Sequence, residues 1–204
     1  DLDADPAAVD ADLAADPRLA PTVRSRPGLR LTGGFEPFEL AVRAILGQQV
    51  SVRGATTLAG RLVERFGEPL AQPSGSLTHL FPLPAALAEA PVESIGMPRA
   101  KGRAIRELAR AVDDGLALGP DTDPAELRAG LVALPGIGPW TAEYVAMRAA
   151  GDPDAFPASD LGLRIALGNG TPAPATEVAR AGEAWRPWRS YAAMRLWWSL
   201  GAGG

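Results

Sequence analysis

Residues 134–140, LPGIGPW, place two prolines and two glycines in seven positions, with helix-like sequence on both sides. No other stretch constrains the fold as strongly. Pro135 fixes one torsion before the turn. Gly136 and Gly138 admit backbone angles closed to other residues. Pro139 suits the first turn of the next helix, where a missing N–H costs nothing. The string reads as a tight hairpin joining DPAELRAGLVAL to PWTAEYVAMRAAG. It leaves backbone amides bare at a helix N-terminus, which is an anion site that a phosphate can approach closely. An ordinary corner between two helices accounts for the same residues.

The rest of the chain has the same grammar. Residues 1–34 read as a short helical segment and a loop. Pro37-Phe38 opens FELAVRAILGQQV, with Phe38, Val42, Ile45 and Leu46 on one stripe. SVRGATTLAGRLVERFG follows, with Ser51 as N-cap and Gly67 as stop. Residues 68–84 are proline-rich and read as a loop. PAALAEA, MPRAKGRAIRELARAVDDG, DPAELRAGLVAL, PWTAEYVAMRAAG, DLGLRIAL, PATEVARAGEAW and WRSYAAMRLWWSL read as helices. No strand pair and no fixed-period repeat stands out. The fold class expected is all-α, with about ten helices and short connections.

Composition narrows the chemistry. The chain has 204 residues and no cysteine, which excludes disulfides, iron–sulfur clusters and thiolate zinc. One histidine, His79, excludes a multi-histidine metal site. No signal peptide, membrane-length apolar run or lipidation motif is present, so the expectation is a cytoplasmic, nucleoid-associated protein with no membrane partner. Net charge is −4, against a polyanion partner, but unevenly spread. Residues 1–16 hold six aspartates and no base. Arg99, Lys101, Arg103 and Arg106, then Arg180, Arg186, Arg189 and Arg195, leave room for a local basic face.

Downstream of the hairpin lies GDPDAFPASDLGLRIAL. Asp160 stands at the start of a helix, where the dipole favours an anionic carboxylate. By itself the stretch reads first as a helix cap, supplied by Ser159 or Asp160. Asp152 and Asp154 read as loop-surface residues.

Taken together, LPGIGPWTAEYVAMR, the Gly/Pro-rich loop and an aspartate about 20 residues on resemble the helix–hairpin–helix/GPD superfamily of DNA glycosylases. AVRAILGQQVSV, IGMPRAKGRAI and RPWRSYAAMRLWW make the chain similar to the 3-methyladenine DNA glycosylase II family over residues 35–200. The resemblance implies a two-lobed helical fold with a DNA cleft: an N-terminal segment 1–34, a lobe 35–130, and the hairpin lobe 131–204. It implies base flipping and hydrolysis of the N-glycosidic bond of alkylated bases such as 3-methyladenine and 7-methylguanine. Asp160 is then the catalytic carboxylate, stabilising positive charge on the sugar. Trp140, Tyr144 and Trp197 line the base pocket, where ring faces attract a cationic base. Burial statistics alone put such aromatics in a core. Trp185, Trp188 and Trp198 are assigned to packing. The amides of Gly136, Gly138 and Thr141 hold a phosphate. The carbonyls of Val132, Leu134 and Ile137 bind a monovalent cation, Na or K; no other cofactor is required. In the GQQVS loop, Gln49 fills the gap left by the flipped base, with Gln48 and Val50 beside it.

Bifunctional members carry a lysine after the hairpin, for a Schiff base and strand cleavage. Trp140 occupies that position, and Lys101, the only lysine, is expected far off in another element. The expected enzyme is therefore monofunctional, a monomer acting on double-stranded DNA. Close relatives often carry an extra β-rich N-terminal domain, for which residues 1–34 are too few. The chain opens on DLDADP, so that domain was removed or this member lacks it. Two rivals stand beside this reading: a non-catalytic DNA-binding module on the same hairpin, and a glycosylase for deaminated purines.

Overall fold

A computed structural model describes residues 1–168 and 170–201. Eleven α-helices span Pro6–Leu13 (α1), Ala20–Ser25 (α2), Pro37–Gly47 (α3), Val52–Phe66 (α4), Pro84–Ala88 (α5), Arg99–Asp113 (α6), Pro124–Val132 (α7), Pro139–Arg148 (α8), Leu161–Leu167 (α9), Ala175–Gly182 (α10) and Arg189–Gly201 (α11). Short 3-10 turns sit at Val92–Ile95 and Glu183–Trp185. Prolines open α1, α3, α5, α7 and α8, where the ring costs no hydrogen bond. Ser51 caps α4 through its hydroxyl on the Gly54 amide, and Asp123 caps α7.

The structure corrects one expectation at 68–84. A two-stranded antiparallel hairpin, Pro69–Ser74 (β1) with Leu77–His79 (β2), turns at Gly75 with φ +58. Its side chains are almost all exposed, so no apolar alternation announces it. Backbone pairing alone makes the strands.

One hydrophobic cluster runs from α1 to α11. The stripe Phe38, Val42, Ile45 and Leu46 is fully part of it, each side chain contributing roughly 1.5–3 kcal/mol of burial. α3 packs on α4, α6 and α8, so it stands between the segment containing the hairpin and the helices before it.

The N-terminal segment is fastened to α11 and the turn before it. Asp10 pairs with the fully buried Arg195, Asp12 accepts from the Trp188 indole at 2.8 Å, and Asp16 from the Trp185 indole at 2.7 Å. Asp1 takes the Tyr191 hydroxyl. The acidic run is thus a set of internal acceptors rather than a solvated tail. Arg106, Arg186 and Arg189 also form internal ion pairs. Of the basic positions expected to make a face, Arg99, Arg103 and Arg180 are exposed and form no ion pair among the described residues.

Candidate active site

The hairpin is anchored by Ile137, buried in the core, between exposed Pro135 and Pro139. Gly136 adopts φ +83, and a Cβ there would lie 2.9 Å from the Ala104 Cβ on α6. Both conformation and close approach demand glycine. Gly138 differs from expectation: its φ of −96 is open to any residue. A Cβ at Gly138 would meet no heavy atom within 4 Å. Its bareness therefore leaves space in front of the hairpin rather than permitting the turn. Among the described residues, the amides of Gly136, Gly138 and Thr141 find no acceptor. The Leu134 carbonyl accepts from the Ile137 amide at 3.2 Å and closes the turn.

Asp160 is the N-cap of α9. Its Oδ1 accepts from the Leu163 amide at 3.0 Å and from the Trp197 indole at 2.7 Å. Its Oδ2 accepts from the Trp140 indole at 3.0 Å. The capping reading and the active-site reading thus describe one residue at once. No arginine or lysine pairs with Asp160 among the described residues. By contrast, Asp152 and Asp154 are not surface residues. Asp152 is buried and pairs with Arg128; Asp154 is half-buried between Arg186 and Arg189. Each is neutralised by guanidinium groups that sequence spacing does not reveal.

Trp140, Tyr144 and Trp197 come together. Trp140 and Tyr144, one turn apart on α8, stack with centroids 5.4 Å apart and planes 16° apart. Trp197 lies tilted 6.4 Å from Tyr144. A cavity of about 300 Å³ opens beside Trp140 and Tyr144; Trp197 is not in its wall. It is lined by Trp140 and Tyr144 on one side and by Leu40, Arg43, Val50 and Val52 on the other. Its wall is mainly apolar, as suits a flat ligand.

Two contributors escape a sequence reading. Arg148 continues the α8 ladder one turn beyond Tyr144, and its guanidinium lies 5.6 and 5.8 Å from the Tyr144 and Trp197 rings. It also donates to the Thr32 carbonyl at 2.7 Å. The i, i+4, i+8 spacing of Trp140, Tyr144 and Arg148 is the signal that was there to find. Gly162 is the second. A Cβ at Gly162 would stand 3.0 Å from both Asp160 Oδ1 and Trp197 Cδ1. Any side chain at 162 would make the Trp197 indole or the carboxylate give by a few tenths of an ångström.

The GQQVS loop is divided. Gln48 turns inward, its Nε2 donating to the Gly136 carbonyl at 3.2 Å and the Thr141 hydroxyl at 2.9 Å. Its amide group is therefore committed within the protein. Gln49 and Val50 are exposed. Gln49 has φ +56 and is the one non-glycine residue with positive φ among those described. Such a backbone persists only where surroundings over-determine it. Lys101 is not remote, as expected, but beside this loop. Its Nζ donates to the carbonyls of Leu46 at 3.0 Å and Gln48 at 2.8 Å.

This constellation has counterparts. Residues 42–187 match the HhH-GPD superfamily base excision DNA repair protein family. The chain belongs to that superfamily. Residues 1–36 match the AlkA N-terminal domain. The chain is 48% identical over 202 residues to "Probable bifunctional transcriptional activator/DNA repair enzyme AlkA" of Mycobacterium tuberculosis (strain CDC 1551 / Oshkosh), covering 98% of this chain and 41% of that protein. It is 38% identical over 183 residues to "DNA-3-methyladenine glycosylase 2" of Escherichia coli (strain K12), covering 87% and 62%. The 3-methyladenine DNA-glycosylase from Archaeoglobus fulgidus superposes with TM-score 0.79 at 28% identity, over 95% of this chain and 68% of the other. The chain thus spans less than two thirds of the length of these curated relatives. The mostly helical HhH-GPD architecture is shared throughout.

Proposed function

We propose that this protein is a monofunctional DNA glycosylase that excises alkylated bases, of the 3-methyladenine and 7-methylguanine type, from duplex DNA. The observation that carries the reading is Asp160: a carboxylate fixed by three neutral N–H donors, with no cation among the described residues to cancel its charge, and joined through one of those donors, the Trp140 indole, to the wall of an aromatic cavity. As the C1′–N bond breaks, its electron pair leaves with the base and positive charge builds on the sugar. A preorganised anion stabilises that charge without reorganising. A water oxygen then bonds to C1′ as one of its protons passes to the Asp160 carboxylate. Trp140 and Trp197 hold the carboxylate in place through their indole N–H groups, while Trp140 and Tyr144 wall the cavity that receives the flipped base.

The free amides of Gly136, Gly138 and Thr141 grip a phosphate, and the open space at Gly138 lets it come close. The carbonyls of Val132, Leu134 and Ile137 are a neutral oxygen set, which fits a monovalent cation better than a divalent one. Such an ion, Na or K, supplies positive charge between hairpin and phosphate. Strand cleavage through a lysine Schiff base has no support: Trp140 stands at the position where such a lysine lies, and the Lys101 amine is engaged on α3. The partner required is double-stranded DNA with alkylated bases, met by a monomer at the nucleoid in the cytoplasm.

A second reading concerns the lesion. Arg148 already presents a cation to Tyr144 and Trp197, which favours neutral, deaminated purines over cationic ones. Base release from methylated and from hypoxanthine-containing duplexes, with strand nicking followed in parallel, tests both. Release of 3-methyladenine or 7-methylguanine without nicking supports the first. Release of hypoxanthine alone supports the second. DNA binding without any release sinks both and leaves a binding module.

A further inference from the structure

The hairpin, the GQQVS loop and the start of α6 meet at one point, and Lys101 is at its centre. The carbonyls of Leu46 and Gln48 lie at the C-terminal end of α3, where helix geometry leaves acceptors without partners. The Lys101 ammonium takes both. A cation there also meets the negative end of the α3 dipole. Partial burial pushes the amine below the ordinary lysine range.

The Gln48 carbonyl belongs to the peptide plane that precedes Gln49, so fixing it holds one of the two sides of the torsion that gives Gln49 its φ of +56. That conformation is unfavourable for a non-glycine residue. Something must hold it. Lys101 holds the carbonyl from the α6 side; the Gln48 side chain, bonded to Gly136 and Thr141, holds the same residue from the hairpin side. Gly136 in turn rests on Ala104, one turn along α6 from Lys101.

We infer that Lys101 is the positioning residue of the gap-filling loop: it locks the Gln48–Gln49 peptide plane so that Gln49 enters the DNA stack in register with the hairpin's grip on the backbone. The inference rests on the reading above that residues 47–51 enter the duplex. It separates two tasks within one loop, since Gln48 braces and Gln49 inserts.

The test uses the full chain, Lys101→Met and Lys101→Arg, on a duplex with one alkylated purine beside 2-aminopurine. The 2-aminopurine brightens when its neighbour leaves the stack, whether or not a base is released. The parent should give that rise. Lys101→Met should lose it and slow single-turnover excision about tenfold or more, as loss of a charge-assisted hydrogen-bond pair implies. Binding to undamaged duplex should not change. Lys101→Arg should restore much of the signal. The same lesion in an unpaired bulge, where unstacking is already complete, should relieve the defect. Gln49→Gly reaches positive φ without a brace, so adding Lys101→Met to it should change nothing further. A full fluorescence rise in Lys101→Met overturns the inference, and so does an excision defect equally deep on the bulge. A parent that brightens the probe but frees no base sinks the glycosylase reading and leaves the role of Lys101 to be decided by fluorescence alone.

Discussion

Indole N–H groups meet carboxylates in two regions of this molecule, and the two regions use the same pair differently. At the N-terminal segment, Asp16 takes the Trp185 indole at 2.7 Å, but Arg18 joins it, with Nε 2.9 Å from the same carboxylate. The Arg18 hydrogen bond holds the Asp16 carboxyl down to about 2. Arg18 also covers the Trp185 ring, 5.0 Å from its centroid. The charge is cancelled where it stands, and the result is a staple. At the hairpin side, Asp160 takes two indoles and a backbone amide, and no guanidinium joins. Neutral donors orient a carboxylate without cancelling it. The comparison teaches that a tryptophan alone does not mark a reactive carboxylate: Asp16 is cancelled by Arg18, Asp12 is exposed and takes a single indole, and Asp160 is half-buried and held by three neutral donors.

The sharpest way to break that comparison is to neutralise each carboxylate in turn. Asp160→Asn keeps a helix cap but removes the anion, and base release from methylated duplex should fall about 10²–10³-fold. Thermal melting should move little. Asp16→Asn should do the reverse: unchanged base release, and a loss of about 1–3 kcal/mol in denaturant unfolding. If Asp16→Asn lowers base release as far as Asp160→Asn does, the division between staple and site is wrong.

Gly162→Ala sharpens the site half. Its methyl group would press on Asp160 Oδ1 and Trp197 at 3.0 Å, so the indole must back away. Base release should drop about tenfold, within the range that small misplacements cause, while the melting temperature stays near the parent's. The hairpin glycines offer a paired control. Gly136→Ala combines φ +83 with a 2.9 Å contact to Ala104 and should destabilise by more than about 1 kcal/mol. Gly138→Ala meets open space; it should leave melting unchanged and weaken duplex binding in a titration.

What the sequence made legible was local. The prolines at helix starts, the caps Ser51 and Asp123, and the stripe on α3 depend on neighbours within a turn or two, so spacing reveals them. The hairpin string and the positions of Trp140, Tyr144, Asp160 and Trp197 were visible because their motifs are long. What stayed hidden depends on distance along the chain. Asp16 and Trp185 are 169 residues apart, and Arg195 and Asp10 are 185 apart. No periodicity links them, so the sequence shows six aspartates without a base but not the partners that they meet. Asp152 and Asp154 looked exposed for the same reason. Gly162 looked like any helical glycine, because its value lies in a tryptophan 35 positions on. The β1–β2 pair was hidden because exposed strands carry no hydrophobic alternation.

The smallest expected effect comes from acid, and it follows from the sign of the Asp16 shift. Folding lowers this carboxyl from 3.8 to about 2, through its hydrogen bond with Arg18 first and the Trp185 indole after it. A carboxyl depressed in the folded state binds fewer protons there than in the unfolded chain between those two values. Its stabilising contribution is therefore complete above about pH 4, and is lost as pH falls toward 2. The Arg18 side chain is 45% exposed, so screening leaves about 1 kcal/mol or less of pH-dependent stability. Unfolding midpoints of the parent and of Asp16→Asn, compared at pH 5 and at pH 2.5, should differ more at pH 5 and draw together at pH 2.5. A gap that stays constant would mean that the carboxylate stabilises through shape and not through charge, and the staple would then owe nothing to the arginine that sets it apart from Asp160.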